Sequence, residues 1–173
     1  IEQDNRILQV LHDTPEFVAS FFGAIKIGAV PIAVNTFMQP KDYEYFLNHS
    51  RAKALIIEEE IWDSLKEYRN RFVFLKYVIV ISHTHRVNSG EWNYYDLIQG
   101  ASPHLDFART NTQDAAFWLY SSGSTGNPKG VTHLQRSMEV AYKNYAKNIL
   151  EITEEDKTFS ASKLFFAYGM GNG

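Results

Sequence analysis

"RILQVLHDTPEFVASFFGAIKIGAVPIAV", residues 6–34, reads as a strand, a helix and a second strand in succession. Its first eight residues are apolar, rich in strong β formers, and end on the polar pair His12 and Asp13. Thr14 suits an N-cap, Pro15 the first helical position, and Glu16 the positive end of the helix dipole. Phe17, Phe21 and Ile25 then recur on one helical face, with Val18 and Phe22 beside them. Gly28 stops the helix, and "AVPIAV" (29–34) follows as a strand. Such a unit joins parallel strands by a right-handed crossover, which predicts an α/β fold.

The alternation continues along the chain. "QPKDYEYFLNHS" (39–50) predicts a helix with Tyr43, Phe46 and Leu47 facing inward, and "ALII" (54–57) a strand. "EEEIWDSLKEYRN" (58–70) predicts a helix with Ile61, Leu65 and Tyr68 on one stripe and its three glutamates at the dipole-favoured end. "YVIVI" (77–81) is fully apolar, as in a sheet covered on both faces. A polar loop (82–91), a short helix (94–102) and an irregular link (104–114) lead to a strand, "AAFWLY" (115–120). "LQRSMEVAYKNYAKNIL" (134–150) reads as a helix and "KTFSASKLFFAYG" (157–169) as a strand running into a loop. With no internal repeat or low-complexity tract, the fold class is α/β: a mostly parallel sheet flanked by helices.

The bulk numbers narrow the function classes. A hydrophobic content of 45% with 14% aromatics belongs to a packed globular chain. A net charge of −3 offers no electrostatic case for a nucleic-acid or anionic-membrane partner. The absence of cysteine excludes disulfides, thiolate metal sites and a cysteine nucleophile. No apolar run approaches the roughly 20 residues of a membrane span, and "IEQDNR" (1–6) has neither the basic nor the apolar region of a signal peptide. These features predict a soluble, cytoplasmic protein. The first residue is Ile1, a few positions before a strand, and "FFAYGMGNG" (165–173) ends on aromatics that need a packing partner. Both ends therefore read as truncated, and residues 1–173 as part of a larger domain that is inactive and poorly soluble alone.

Chemistry concentrates in "YSSGSTGNPKG" (120–130). Gly123, Gly126 and Gly130 permit backbone angles that a side chain forbids, and let N–H groups approach an anion. Ser121, Ser122, Ser124 and Thr125 supply hydroxyls, and Lys129 a positive charge suited to polyphosphate. A strand, this loop and a following helix would form a phosphate site at a helix N-terminus. A Walker A loop is excluded, because Gly130, not Ser or Thr, follows Lys129.

The run "SSGSTGNPKG" (121–130) closely resembles the phosphate-binding signature of the adenylate-forming superfamily, which has the form Thr/Ser-Ser/Gly-Gly-Ser/Thr-Thr-Gly-x-Pro-Lys-Gly. "FFGAIKIGAVPIAVN" (21–35) is similar to an earlier motif of the same enzymes, so the resemblance covers nearly the whole chain as the first part of their large N-terminal domain. "FWLYSSGSTGNPKGVTH" (117–133) and "SASKLFFAYGMGNG" (160–173) resemble the benzoate–CoA ligases and their aryl-acid relatives. Gln135 departs from them, standing where those ligases tend to carry a second His after the one matched by His133. The resemblance implies ATP, Mg2+ and coenzyme A acting on a small carboxylate, first to an acyl-adenylate and then to a thioester. It implies β- and γ-phosphate binding by Ser121, Ser122, Gly123, Ser124, Thr125, Gly126 and Lys129. It places an aromatic gate at Phe166 and acyl-pocket walls at Ala167, Tyr168 and Gly169, with Phe165 in the core. The adenine, ribose and magnesium-side contacts and the catalytic lysine of a C-terminal domain are implied downstream. An enzyme for a fatty, short-chain or amino acid, or a non-catalytic nucleotide-binding homologue, are the alternatives.

Other polar groups read as structural. His83 and His85 form a His-x-His pair in a polar loop with no third ligand in view. Asn48, His49 and Ser50 form a glycosylation sequon without meaning unless the chain is secreted. His12 and Asp13 end a strand and carry no catalytic signal.

Overall fold

The structure is a computed structural model that describes residues 1–122 and 126–172. Strand β1 (Arg6–Val10) leads into helix α1 (Pro15–Lys26), β2 (Val30–Ala33) into α2 (Pro40–Ser50), and β3 (Ala54–Glu58) into α3 (Glu59–Leu65). A tight 3-10 turn (Lys66–Arg71) extends α3, followed by β4 (Tyr77–Ile81), β5 (Glu91–Asn93) and α4 (Tyr94–Gln99). Then come β6 (Ala115–Ser121), β7 (Lys129–Leu134), α5 (Ser137–Ala141), a π-helical turn (Tyr142–Lys147) and α6 (Ala167–Asn172). Among the described residues seven strands form one sheet in the order β5-β4-β3-β1-β2-β6-β7. Every pair is parallel except β6 with β7. The α/β expectation therefore holds, with an antiparallel strand at one edge.

Alternation along the strands divides the core into two layers. Leu8, Val10, Ile32, Leu55, Ile57, Val78 and Val80 face Tyr43, Phe46 and Leu47 of α2 and Trp62 and Leu65 of α3. Ile7, Ala33, Ala54, Ile56, Phe117 and Leu119 face Phe17, Phe21 and Ala24 of α1. Each fully buried large side chain contributes about 1.5–3 kcal/mol. Gln9 is the exception in β1: it is fully buried, and neither side-chain amide atom has a partner among the described residues.

Several local expectations are corrected. Val18 and Phe22 lie about a hundred degrees round α1 from the buried stripe, and they are 44% and 53% exposed. Thr14 holds the extended N-cap backbone, but its side chain makes no capping bond. In α3, Trp62 joins Leu65 as fully buried, and Ile61 and Tyr68 pack partly buried against the same core layer. Trp62 Nε1 donates to Glu91 Oε1 at 2.6 Å, which ties α3 to β5, a three-residue strand placed within the predicted loop and just beyond it. Residues 134–150 are not one helix: Lys129–Leu134 is a strand, and α5 begins only at Ser137. Residues 157–169 contain no strand; the segment turns back on itself and enters α6.

Candidate functional site

The glycine- and serine-rich loop leaves the carboxyl end of β6, the edge at which open parallel α/β sheets receive ligands. It returns as β7 rather than as a helix, which overturns the expected strand–loop–helix site. The site is a hairpin, with Tyr120 paired to Gly130 and Ser121 to Lys129. Among the described residues β7 is the element that follows the loop, so no helix begins at the loop's C-terminal end. Lys129 shares the Ser121 face of the hairpin, as directly opposite residues do. Ser121, Ser122, Gly126 and Lys129 are all exposed. Gly126 has φ +122°, which only glycine adopts without strain. Gly123, Ser124 and Thr125 lie outside the described residues.

Helix α2 supports the hairpin from beneath. Successive β6 side chains alternate, so Trp118 and Tyr120 join the α2 layer while Phe117 and Leu119 join the α1 layer. The Tyr120 ring packs on Phe46 with centroids 4.5 Å apart, and burial pushes its phenol pKa well above the usual value. Its hydroxyl lies 2.8 Å from His49 Nδ1. Tyr45, one turn before His49, donates its hydroxyl to the Pro128 carbonyl at 2.9 Å. Residue-type reasoning identified Tyr43, Phe46 and Leu47 on α2 but passed over Tyr45 and His49; their i,i+4 spacing on the flank of that stripe was the available signal.

The acyl-pocket candidates arrive from the far end of the chain. Asp13, just beyond β1, accepts the Leu164 N–H at 3.1 Å and lies 3.7 Å from Lys163 Nζ. Phe165 is buried in the α1 layer, as expected for a core residue. The Phe166 N–H donates to the Lys163 carbonyl at 3.0 Å, so the chain turns and starts α6 at Ala167. Phe166 and Tyr168 are 49% and 72% exposed, Ala167 is exposed and Gly169 buried. A Cβ on Gly169 would stand 2.0 Å from the Lys163 carbonyl oxygen. Asp13 belongs to β1 and the hairpin to β6, with β2 between them. The strands β1 and β6 that lead to the two groups thus end at the same, carboxyl edge of the sheet, two strand positions apart.

The remaining candidates are partnered within the fold. His83 stacks on Tyr95 and His85 Nδ1 lies 2.7 Å from Asp96 Oδ1. Among the described residues, no group of three or more His, Cys, Asp or Glu is placed to hold a metal ion. Burial pushes the Glu58 carboxyl pKa up, and that carboxylate accepts the His12 N–H at 3.0 Å. His133 stacks flat on Phe117 at 4.5 Å, and its burial lowers its pKa. No helix among the described residues is long and apolar enough to cross a membrane.

Comparison with known proteins places this geometry. The benzoate–CoA ligase of Thauera aromatica is 39% identical over 173 residues, a match covering 100% of this chain and 32% of that protein. A solved anthranilate CoA ligase, AuaEII with anthranoyl-AMP, superimposes with a TM-score of 0.94 at 31% identity, over 99% of this chain and 33% of that one. A benzoate CoA ligase from Burkholderia xenovorans LB400 gives 0.86 at 37% identity, over 99% and 32% respectively. The chain thus spans about a third of the length of the curated relatives it matches. The AMP-binding enzyme family matches residues 1–173, and with the signature hairpin at the carboxyl edge of a mostly parallel sheet, the chain belongs to that family.

Proposed function

We propose that the protein carrying this chain activates an aromatic carboxylic acid with ATP and transfers the acyl group to coenzyme A. The observation that carries this is the hairpin whose flanking residues Ser121, Ser122 and Gly126 are exposed, with Lys129 at its foot, in a chain that is 39% identical to a benzoate–CoA ligase. A carboxylate oxygen attacks the α-phosphorus of ATP, and the bond to pyrophosphate breaks. Ser122, Thr125 and Lys129, with N–H groups around residues 123–126, hold the departing β- and γ-phosphates, where a fixed ammonium and oriented donors stabilise the growing charge. The thiol of coenzyme A then attacks the acyl carbon and AMP leaves. Phe166 gates the acyl site, and Ala167, Tyr168 and Gly169 line it, because a flat apolar acid suits flat apolar walls.

Hydroxyls, N–H groups and one ammonium make a donor set for phosphate oxygens, and the loop carries no carboxylate. A carboxylate beside Mg2+ would come, like the adenine and ribose contacts, from the part of the relatives' length that the chain does not span. The chain serves as the first part of a large N-terminal domain. Adenine, ribose and catalytic-lysine contacts would come from the two-thirds of the relatives' length that it does not span.

The test is carboxylate-dependent ATP–pyrophosphate exchange by the product of the complete reading frame, offered benzoate, 2-aminobenzoate, hydroxybenzoates, a medium-chain fatty acid and acetate. Exchange strongest with a benzoate-type acid is expected. Exchange with an aliphatic acid alone refutes the aryl assignment. A folded protein that binds ATP but exchanges with no acid refutes the catalytic one.

A further inference from the structure

Both feet of the signature loop rest on one helix. Tyr120 is the last residue of the outgoing strand before Ser121, and Pro128 the last of the loop before Lys129. Pro128 has no N–H, so its carbonyl is its one backbone anchor, and the Tyr45 hydroxyl takes it at 2.9 Å. Tyr45 stacks on His49 with centroids 5.1 Å apart and planes 20° from parallel. His49 Nδ1 in turn lies 2.8 Å from the Tyr120 hydroxyl. A continuous line of contact therefore runs from Pro128 through Tyr45 and His49 to Tyr120, closing the base of the hairpin on its α2 side.

The strand that needs this support is β7. Among the described residues it pairs with β6 alone. Helix α2 is the firmer partner: Tyr43, Phe46 and Leu47 are buried, and a reciprocal capping box closes its N-terminus.

We propose that Tyr45 and His49 form a clamp that sets the position of Lys129 and the loop, acting as positioning residues for the pyrophosphate side of adenylation. This rests on the adenylation reading above. Neither side chain need touch ATP. The clamp acts by holding the Pro128 carbonyl, one residue from the Lys129 ammonium, and the Tyr120 hydroxyl, on the opposite foot. A shift of the foot by about 1 Å would cost up to about a hundredfold in rate.

The test uses the full-length protein and the Tyr45→Phe variant, which keeps the ring and its stack and loses only the hydroxyl. The expected result is a fall of about tenfold or more in kcat for ATP–pyrophosphate exchange, with KM for the acid unchanged. Tm should move by no more than about 2 °C, and amide hydrogen exchange should speed up in the peptide spanning residues 126–131. His49→Gln, which keeps a hydrogen-bonding group, should retain more activity than His49→Leu. A Tyr45→Phe enzyme with wild-type kcat and wild-type hydrogen exchange overturns the clamp. Should the wild type catalyse no exchange with any acid, the adenylation reading fails. Hydrogen exchange then decides the clamp alone: faster exchange in residues 126–131 of Tyr45→Phe supports it, and unchanged protection overturns it.

Discussion

Two glycines two residues apart in α6 should answer oppositely to the same change. At Gly169 an added Cβ would stand 2.0 Å from the Lys163 oxygen, 2.5 Å from its carbon and 2.6 Å from the Ser162 oxygen. All three are backbone atoms, so no side chain can rotate away. Opening the first contact to the 3.4 Å at which ordinary contacts begin displaces α6 by about 1.4 Å, and a misplacement of that order costs about a hundredfold in a positioned reaction. At Gly171 the added Cβ meets nothing within 4 Å. There alanine removes only the conformational entropy of glycine in a helix, a gain of about 0.5–1 kcal/mol. Gly169→Ala is therefore expected to lose about 1–3 kcal/mol of stability through overpacking. On the proposed function it should also lose about a hundredfold in kcat/KM for the aromatic acid while KM for ATP stays near wild type. Gly171→Ala should match or exceed wild-type stability. Denaturant unfolding and steady-state kinetics on the full-length variants read both effects. A Gly169→Ala protein as stable and active as Gly171→Ala would refute the tight turn of 163–169 against its own backbone.

Two further outcomes follow from the geometry. The Tyr43 hydroxyl accepts the Met38 N–H at 3.3 Å and donates to the Asn35 carbonyl at 3.0 Å; Tyr43→Phe should cost about 1–3 kcal/mol in urea unfolding, and a change near zero would show that neither group depends on it. Burial lowers the His133 pKa in the folded state, so below the ordinary value near 6.5 the unfolded chain takes up a proton that the folded chain refuses. Stability should therefore fall as pH drops through that value and level off once the folded-state pKa is passed. Comparing Tm across that range should show a shallower slope for His133→Gln, and an unchanged slope would assign the dependence to other groups.

The parallel part of the fold was legible because its signals are local. Pro15, Gly28 and the spacing of Phe17 and Phe21 mark α1 within a dozen residues, and the apolar strands at 54–57 and 77–81 announce a sheet covered on both faces. The loop was legible for the same reason, since its glycines, hydroxyls and Lys129 are adjacent in the chain. Of the acyl segment, Phe165 as core was readable from residue type, but the fold of 157–169 was not. Its aromatics fit a strand as well as a turn, and the decisive contacts reach back to Asp13 and onto the Lys163 carbonyl.

The amino-acid sequence by itself determined the strand–helix alternation, the two inward faces of the central strands and the chemistry of the loop. Each depends on periodicity or on neighbours a few bonds away. Tertiary structure alone decided that residues 129–134 return as an antiparallel strand beside β6, and that Tyr45 reaches a carbonyl 83 positions further along the chain. Those outcomes turn on cross-strand pairing and on which side of α2 meets the sheet, and such contacts form only once distant segments have packed together.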